Sequence, residues 1–230
     1  MPEVLRKTIA RPLVRRWLAG SRHSWLTLPL PKSQQLVSAP GADPDRVILT
    51  GSGIAMGYGM RTHDLALGGH LARQLSAITG RGAVVDVLTQ ENATAATLSR
   101  ALDTGRLRAA DAIVVTPGSA EELLMMSGAA WRREIVALLD HVDRAAPASL
   151  HIFLVGIPPL HKLVPMPWPL ARMASMTAEA LNRELRGVCA ARSFATFIPF
   201  EPKVPVGREG TGLTYRRWAE LIAPAVSKAL

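Results

Sequence analysis

The sequence predicts an α/β domain, a three-layer α/β/α sandwich around a five-stranded, mostly parallel sheet. Three observations carry that reading. Five short apolar runs stand at 46–51 (RVILTG), 83–90 (AVVDVLTQ), 112–118 (AIVVTPG), 150–159 (LHIFLVGIPP) and 195–200 (ATFIPF). Unbroken apolar runs of this length suit strands buried on both faces. Longer stretches with helical spacing separate them, so each strand returns to the sheet by a right-handed crossover, with helices on both faces.

In chain order, 1–25 is a basic arm in which Pro12 is expected to break or kink any helix. Residues 27–45 (TLPLPKSQQLVSAPGADPD) read as a connector, rich in proline and small polar residues. The division is therefore an arm and connector over 1–45 and a folded domain over 46–230. After the first strand, Leu67, Leu71, Leu75 and Ile78 share one helical face that ends at Gly80. After the second, Thr94 can cap a helix carrying Leu98 and Leu102. Trp131, Ile135, Leu138, Leu139 and Val142 mark a long amphipathic helix after the third. Pro158 and Pro159 close the fourth strand, and a helix over 169–192 follows. The last helix, from 214, is expected to bury Trp218, Leu221, Ile222 and Val226.

Composition narrows the function classes. The chain has 230 residues, enough for one domain with a full core, and 48% of them are apolar. No run approaches the roughly 20 apolar residues of a membrane helix. The single cysteine, Cys189, excludes an internal disulfide and a multi-cysteine zinc site, and its context reads as a buried helix face. The net charge is +9, but the arginines are scattered without aromatic interleaving or a nucleic-acid motif, so no nucleic-acid partner is expected. The one local concentration is Arg6, Lys7, Arg11, Arg15, Arg16 and Arg22. It lacks the long apolar core and cleavage site of a signal peptide, and a cytoplasmic protein is expected. Residues 1–25 are left as an arm packing on the domain or on a protein partner, or a surface helix on an anionic membrane.

Parallel sheets bind ligands beyond the carboxyl ends of their strands. The candidate site is thus built from the turns at 51–59, 90–94, 117–122, 156–161 and 201–212. The first turn is glycine-rich, yet Met56 stands where a dinucleotide fingerprint needs its third glycine, and no G-K-[ST] follows. No cofactor is expected. His63 and Asp64 are neighbours on the chain and cannot face each other from a helix, so Asp64 is read as a first-turn or cap residue. His70, His141 and His151 lack metal-ligand spacing, and no metal site is expected.

The ordered blocks VILTGSGIAMGYG, LGGHLARQL, LVGIPPLHKLVPMPWPL and YRRWAELIA resemble the SGNH hydrolases, the GDSL-type esterases and lipases, in a bacterial branch. The likeness spans 46–228 and implies a serine nucleophile in the first turn. The spacing of Gly51, Gly57 and Gly59 sets the register, placing Ser52 where that family has aspartate and Gly53 where it has the nucleophile. Asn92 takes the place of the oxyanion glycine of the second block. In the third block, Gly-x-Asn-Asp becomes Gly118, Ser119, Ala120, Glu121, so the asparagine donor is alanine. Counting back from Tyr215, Val206 and Glu209 replace the aspartate and histidine of the last block. Serine attack needs a base and donors aimed at the oxyanion. The resemblance therefore implies a hydrolase-like cleft without the triad, lined by Ser52, Gly53, Asn92, Ser119, Ala120 and Glu209. Its ligand would be a small ester, acyl group or glycan substituent. An esterase with a rearranged site would have to use Ser52 with Glu209 or His161 as base. An interaction module working through the N-terminal arm is the third alternative.

Overall fold

All five apolar runs form parallel strands, and a sixth strand joins them from the segment read as connector. The computed structural model describes residues 11–20, 28–90, 93–159, 161, 166–200 and 211–230. The elements are α1 (Arg11–Gly20), β1 (Leu36–Ala39), β2 (Asp45–Gly51), α2 (Leu67–Thr79), β3 (Ala83–Thr89), α3 (Ala95–Ala101), α4 (Thr104–Ala109), β4 (Ala112–Thr116), α5 (Ser119–Leu123), α6 (Gly128–Ala145), β5 (His151–Val155), α7 (Trp168–Ala190), β6 (Ala195–Ile198) and α8 (Thr211–Val226).

The sheet has six strands in the order β1-β3-β2-β4-β5-β6, not five. The extra strand, β1, pairs antiparallel with β3, Val37 opposite Val85. Only Val37 and Ala39 of its four residues face inward, too short a pattern to stand out within a proline-rich stretch. The other pairings are parallel, and the order reverses between β2 and β4. Ligand crevices of open α/β sheets form at such a reversal.

Each face of the sheet has its own core. On one, Leu71 and Leu75 of α2 and Ile222 and Val226 of α8 pack over Leu49 and Val114. On the other, Trp131, Ile135 and Leu139 of α6 and Leu181 and Leu185 of α7 pack over Ile113 and Leu154. Each such side chain contributes about 1.5–3 kcal/mol by leaving water. The Trp131 Nε1–H also donates to Leu181 O at 3.1 Å, tying α6 to α7.

Several details differ from the expected pattern. Ile78, read as a core residue of α2, is 47% exposed in the last turn of the helix, which ends at Gly80 (φ +71). Leu221 of α8 is only half-buried. Asp64 does not cap α2, whose N-cap is Ala66; its carboxylate meets Arg73 at 2.9 Å. Pro12 does not prevent α1 either. It lies in the first turn, where a missing N–H breaks no helical bond. Trp17 then packs α1 onto Met125 and Ala174, beside Met166, Leu170 and Met173. No described helix is long and apolar enough to cross a membrane.

Candidate functional site

Beyond the carboxyl ends of β2 and β4 the backbone is shaped by glycines at positive φ, where any side chain is strained. Gly51 has φ +129, and a Cβ there would lie 2.3 Å from Thr116 O. The next residues lock the two turns together. Ser52 N–H donates to Thr116 O at 2.9 Å, and Thr116 Oγ1 donates to Ser52 O at 2.9 Å. Gly118 has φ +97, and its absent Cβ would fall 2.1 Å from Ile157 Cδ1. Ile157 is in turn held by Asn182 of α7, whose Oδ1 accepts from Ile157 N–H at 2.8 Å and whose Nδ2 donates to Ile157 O at 2.9 Å. Three turns are therefore fixed against one another by close contact.

This frame brings Ser52, Gly53, Ser119 and Ala120 to one place. Gly53 adopts φ +62, and a Cβ built on it would stand 2.2 Å from Ser119 Oγ and 3.1 Å from Ser119 Cβ. The volume that a side chain at position 53 would claim is thus filled by the hydroxymethyl group of Ser119. Ser119 and Ala120 are half-buried. Ser52 is 6% exposed, and its Oγ has no hydrogen-bond partner among the described residues.

A buried carboxyl lies in the first turn of α5. Glu121 is fully buried, and its Oε1 accepts from Ala95 N–H at 2.7 Å, while Oε2 has no partner among the described residues. Loss of hydration pushes its pKa up to about 7, with the nearby Glu134 adding to the rise. Glu134 is itself shifted upward, chiefly by burial, and accepts from Ala96 N–H. The first two N–H groups of α3 are therefore taken by two acidic side chains, which set the turn after β3 against α5 and α6. Thr94 precedes that helix as expected, its N–H donating to Thr97 Oγ1 at 3.0 Å.

The expected residues divide into three groups. Ser52, Gly53, Ser119 and Ala120 meet at the crevice. Asn92, Val206 and Glu209 lie outside the described residues. His161, the other base considered, is half-buried with Nδ1 3.0 Å from Ser175 Oγ on α7, away from the Ser52 hydroxyl. Two of the remaining histidines, His141 and His151, make ring contacts within the frame. His63 is buried with its backbone N–H donating to Ser33 Oγ at 2.9 Å, and burial lowers its pKa. His141 meets Leu102 O and His151 meets Thr196 Oγ1, each at 2.8 Å, both structural contacts. Cys189 is buried and its thiol is pushed up to about 11, which leaves it protonated and inert. Among the described residues no group of three His, Cys, Asp or Glu side chains could hold a metal ion. Sequence reasoning missed Asn182 and Glu134 because their positions carry no motif. Only the tertiary packing shows what they hold.

No family model matches the chain, and no curated protein matches it significantly. Solved structures do match. A lipase from a goat rumen metagenome superposes with a TM-score of 0.60 at 12% identity, covering 79% of this chain and 97% of that one. A mutant of the esterase AlinE4 gives 0.54 at 16% identity over 82% and 98% of the two chains. The catalytic domain of peptidoglycan O-acetyltransferase A from Streptococcus pneumoniae gives 0.51 at 14% identity over 81% and 94%. The chain shares the fold of these lipases, esterases and acyltransferases, and the reversal point of its sheet is the crevice described above.

Proposed function

We propose that this protein is a member of the SGNH hydrolase superfamily that binds a small ester, acyl group or glycan substituent without hydrolysing it. One observation carries the reading. At the end of β2 the backbone reaches Gly53, which offers no hydroxyl, and the hydroxyl of Ser119 fills the space where a side chain at 53 would stand. A polar crevice that retains the hydroxyls of Ser52 and Ser119 is suited to orienting a carbonyl oxygen. Catalysis needs more: a nucleophile, a base in contact with it and a third group holding the base. Ser52 lacks that contact among the described residues, and His161 is engaged with Ser175. The activities named for the structural neighbours, lipase, esterase and O-acetyltransferase, indicate the ligand class rather than a reaction here.

A competing reading, an esterase working through Ser52, predicts turnover of short p-nitrophenyl esters that disappears in Ser52→Ala. The binding reading predicts hydrolysis no faster than in buffer. It also predicts a rise in melting temperature with hydrolysis-resistant acyl amides, since a ligand that binds only the folded state stabilises it.

A further inference from the structure

We infer that the solvent face of α7 is a docking surface for an anionic phospholipid bilayer. The helix is long, and a set of its exposed residues falls on one stripe. Trp168, Arg172, Met176, Glu179, Arg183 and Arg186 are all exposed. At about 100° per residue they lie within a sector of about 80°, and at 1.5 Å rise they extend over about 27 Å. The stripe carries three arginines against one glutamate. Trp168 is 71% exposed and Met176 56%, the two largest exposures of apolar side chains on this helix. Arg172 sits between them with its guanidinium 5.7 Å from the Trp168 ring centroid, and Arg186 lies 5.0 Å over the Phe197 ring. A large indole left in water costs free energy unless something covers it.

The chemistry of the stripe selects the occupant. Exposed tryptophan and methionine beside arginines match an interface in which apolar groups enter the acyl boundary and guanidinium groups reach phosphates. A convex helix face presents no groove in which an extended strand of nucleic acid could track. Another side of the same helix packs with α1 through Leu170, Met173 and Trp17. Charge complementarity is provided by the stripe itself, with three arginines against one glutamate. This inference stands independently of whether the crevice hydrolyses its ligand.

The test uses the full chain and co-sedimentation with vesicles of phosphatidylcholine alone or mixed with phosphatidylglycerol. Binding is expected only with phosphatidylglycerol and should weaken with salt. Trp168→Glu should lower it by about tenfold or more, while Ile78→Glu, which places the same charge at an exposed apolar site on α2, should leave it within about twofold. The Trp168→Glu variant must keep the wild-type melting temperature, as expected at so exposed a site. Tryptophan fluorescence should shift to the blue on vesicle binding, and the shift should be lost in Trp168→Phe. No binding to the anionic vesicles would overturn the inference. So would an equal loss in Ile78→Glu, which would mean that net charge alone attracts the protein. Capture of single-stranded RNA with the same dependence on Trp168 would overturn it as well.

Discussion

Two of the buried carboxylates, Asp45 at the amino end of β2 and Glu121 beyond the carboxyl end of β4, are both 0% exposed, and their surroundings are opposite. Asp45 forms an ion pair with Arg81 and accepts from Thr79 Oγ1 at 3.0 Å. Glu121 accepts from Ala95 N–H through Oε1, has no partner for Oε2 among the described residues, and has another acid, Glu134, as its charged neighbour. The first arrangement compensates a charge and secures the strand. The second leaves a carboxyl that prefers to be neutral, beside the crevice. Polar groups at the two ends of one sheet thus follow different rules. The amino end pairs its buried carboxylate with a cation, although Arg81 Nε has no partner among the described residues, and the carboxyl end leaves Ser52 Oγ and Glu121 Oε2 without one beside the glycine turns.

The contrast breaks most visibly at Arg81. Arg81→Met should destabilise the fold by about 3 kcal/mol, because it strands a buried carboxylate. Urea denaturation measures it, and a loss below about 1 kcal/mol would mean that water reaches Asp45. Glu121→Gln should act in the opposite direction. A carboxyl with its pKa raised by folding stabilises the native state while protonated, and that contribution is lost as pH rises from about 4.5 through about 7. Wild-type stability should therefore fall over that window by roughly 2–3 kcal/mol. Glutamine keeps the acceptor for Ala95 N–H and carries no charge. The variant should lose most of that slope and be the more stable protein at pH 8. A pH profile of the denaturation midpoint that is unchanged by the substitution would place the slope elsewhere, with Glu134 the next group to replace.

The smallest effect concerns the crevice itself. Gly53→Ser should cost about 1–2 kcal/mol, part from the left-handed backbone and part from the collision with Ser119. Adding Ser119→Gly should recover the collision part and leave the backbone part. Equal cost with and without Ser119→Gly would show that the two positions do not compete for the same space.

Much of this architecture was legible in the residues. The five parallel strands announced themselves as apolar runs, and the faces of α2 and α6 as leucine and tryptophan spacings. Gly51, Gly53 and Gly118 stood at strand ends where left-handed backbone was needed. β1 was not legible, since Leu36–Ala39 offers only two inward side chains among prolines and polar residues. Nor was α1, where one proline in the first turn looked like a barrier. The crevice was half legible. The register of the glycines located Gly53 and Ser119 separately, but that one fills the space of the other is a property of the turn packing. Burial of an acid such as Glu121 leaves no periodic trace in the sequence.

The most direct measurement is intact-mass analysis of the full chain after exposure to an excess of a fluorophosphonate, which adds covalently only to an activated hydroxyl. A crevice that binds without reacting predicts an unchanged mass, alongside ester turnover no faster than in buffer. A stoichiometric adduct that is abolished by Ser52→Ala or Ser119→Ala would contradict it and restore a working hydrolase to the crevice.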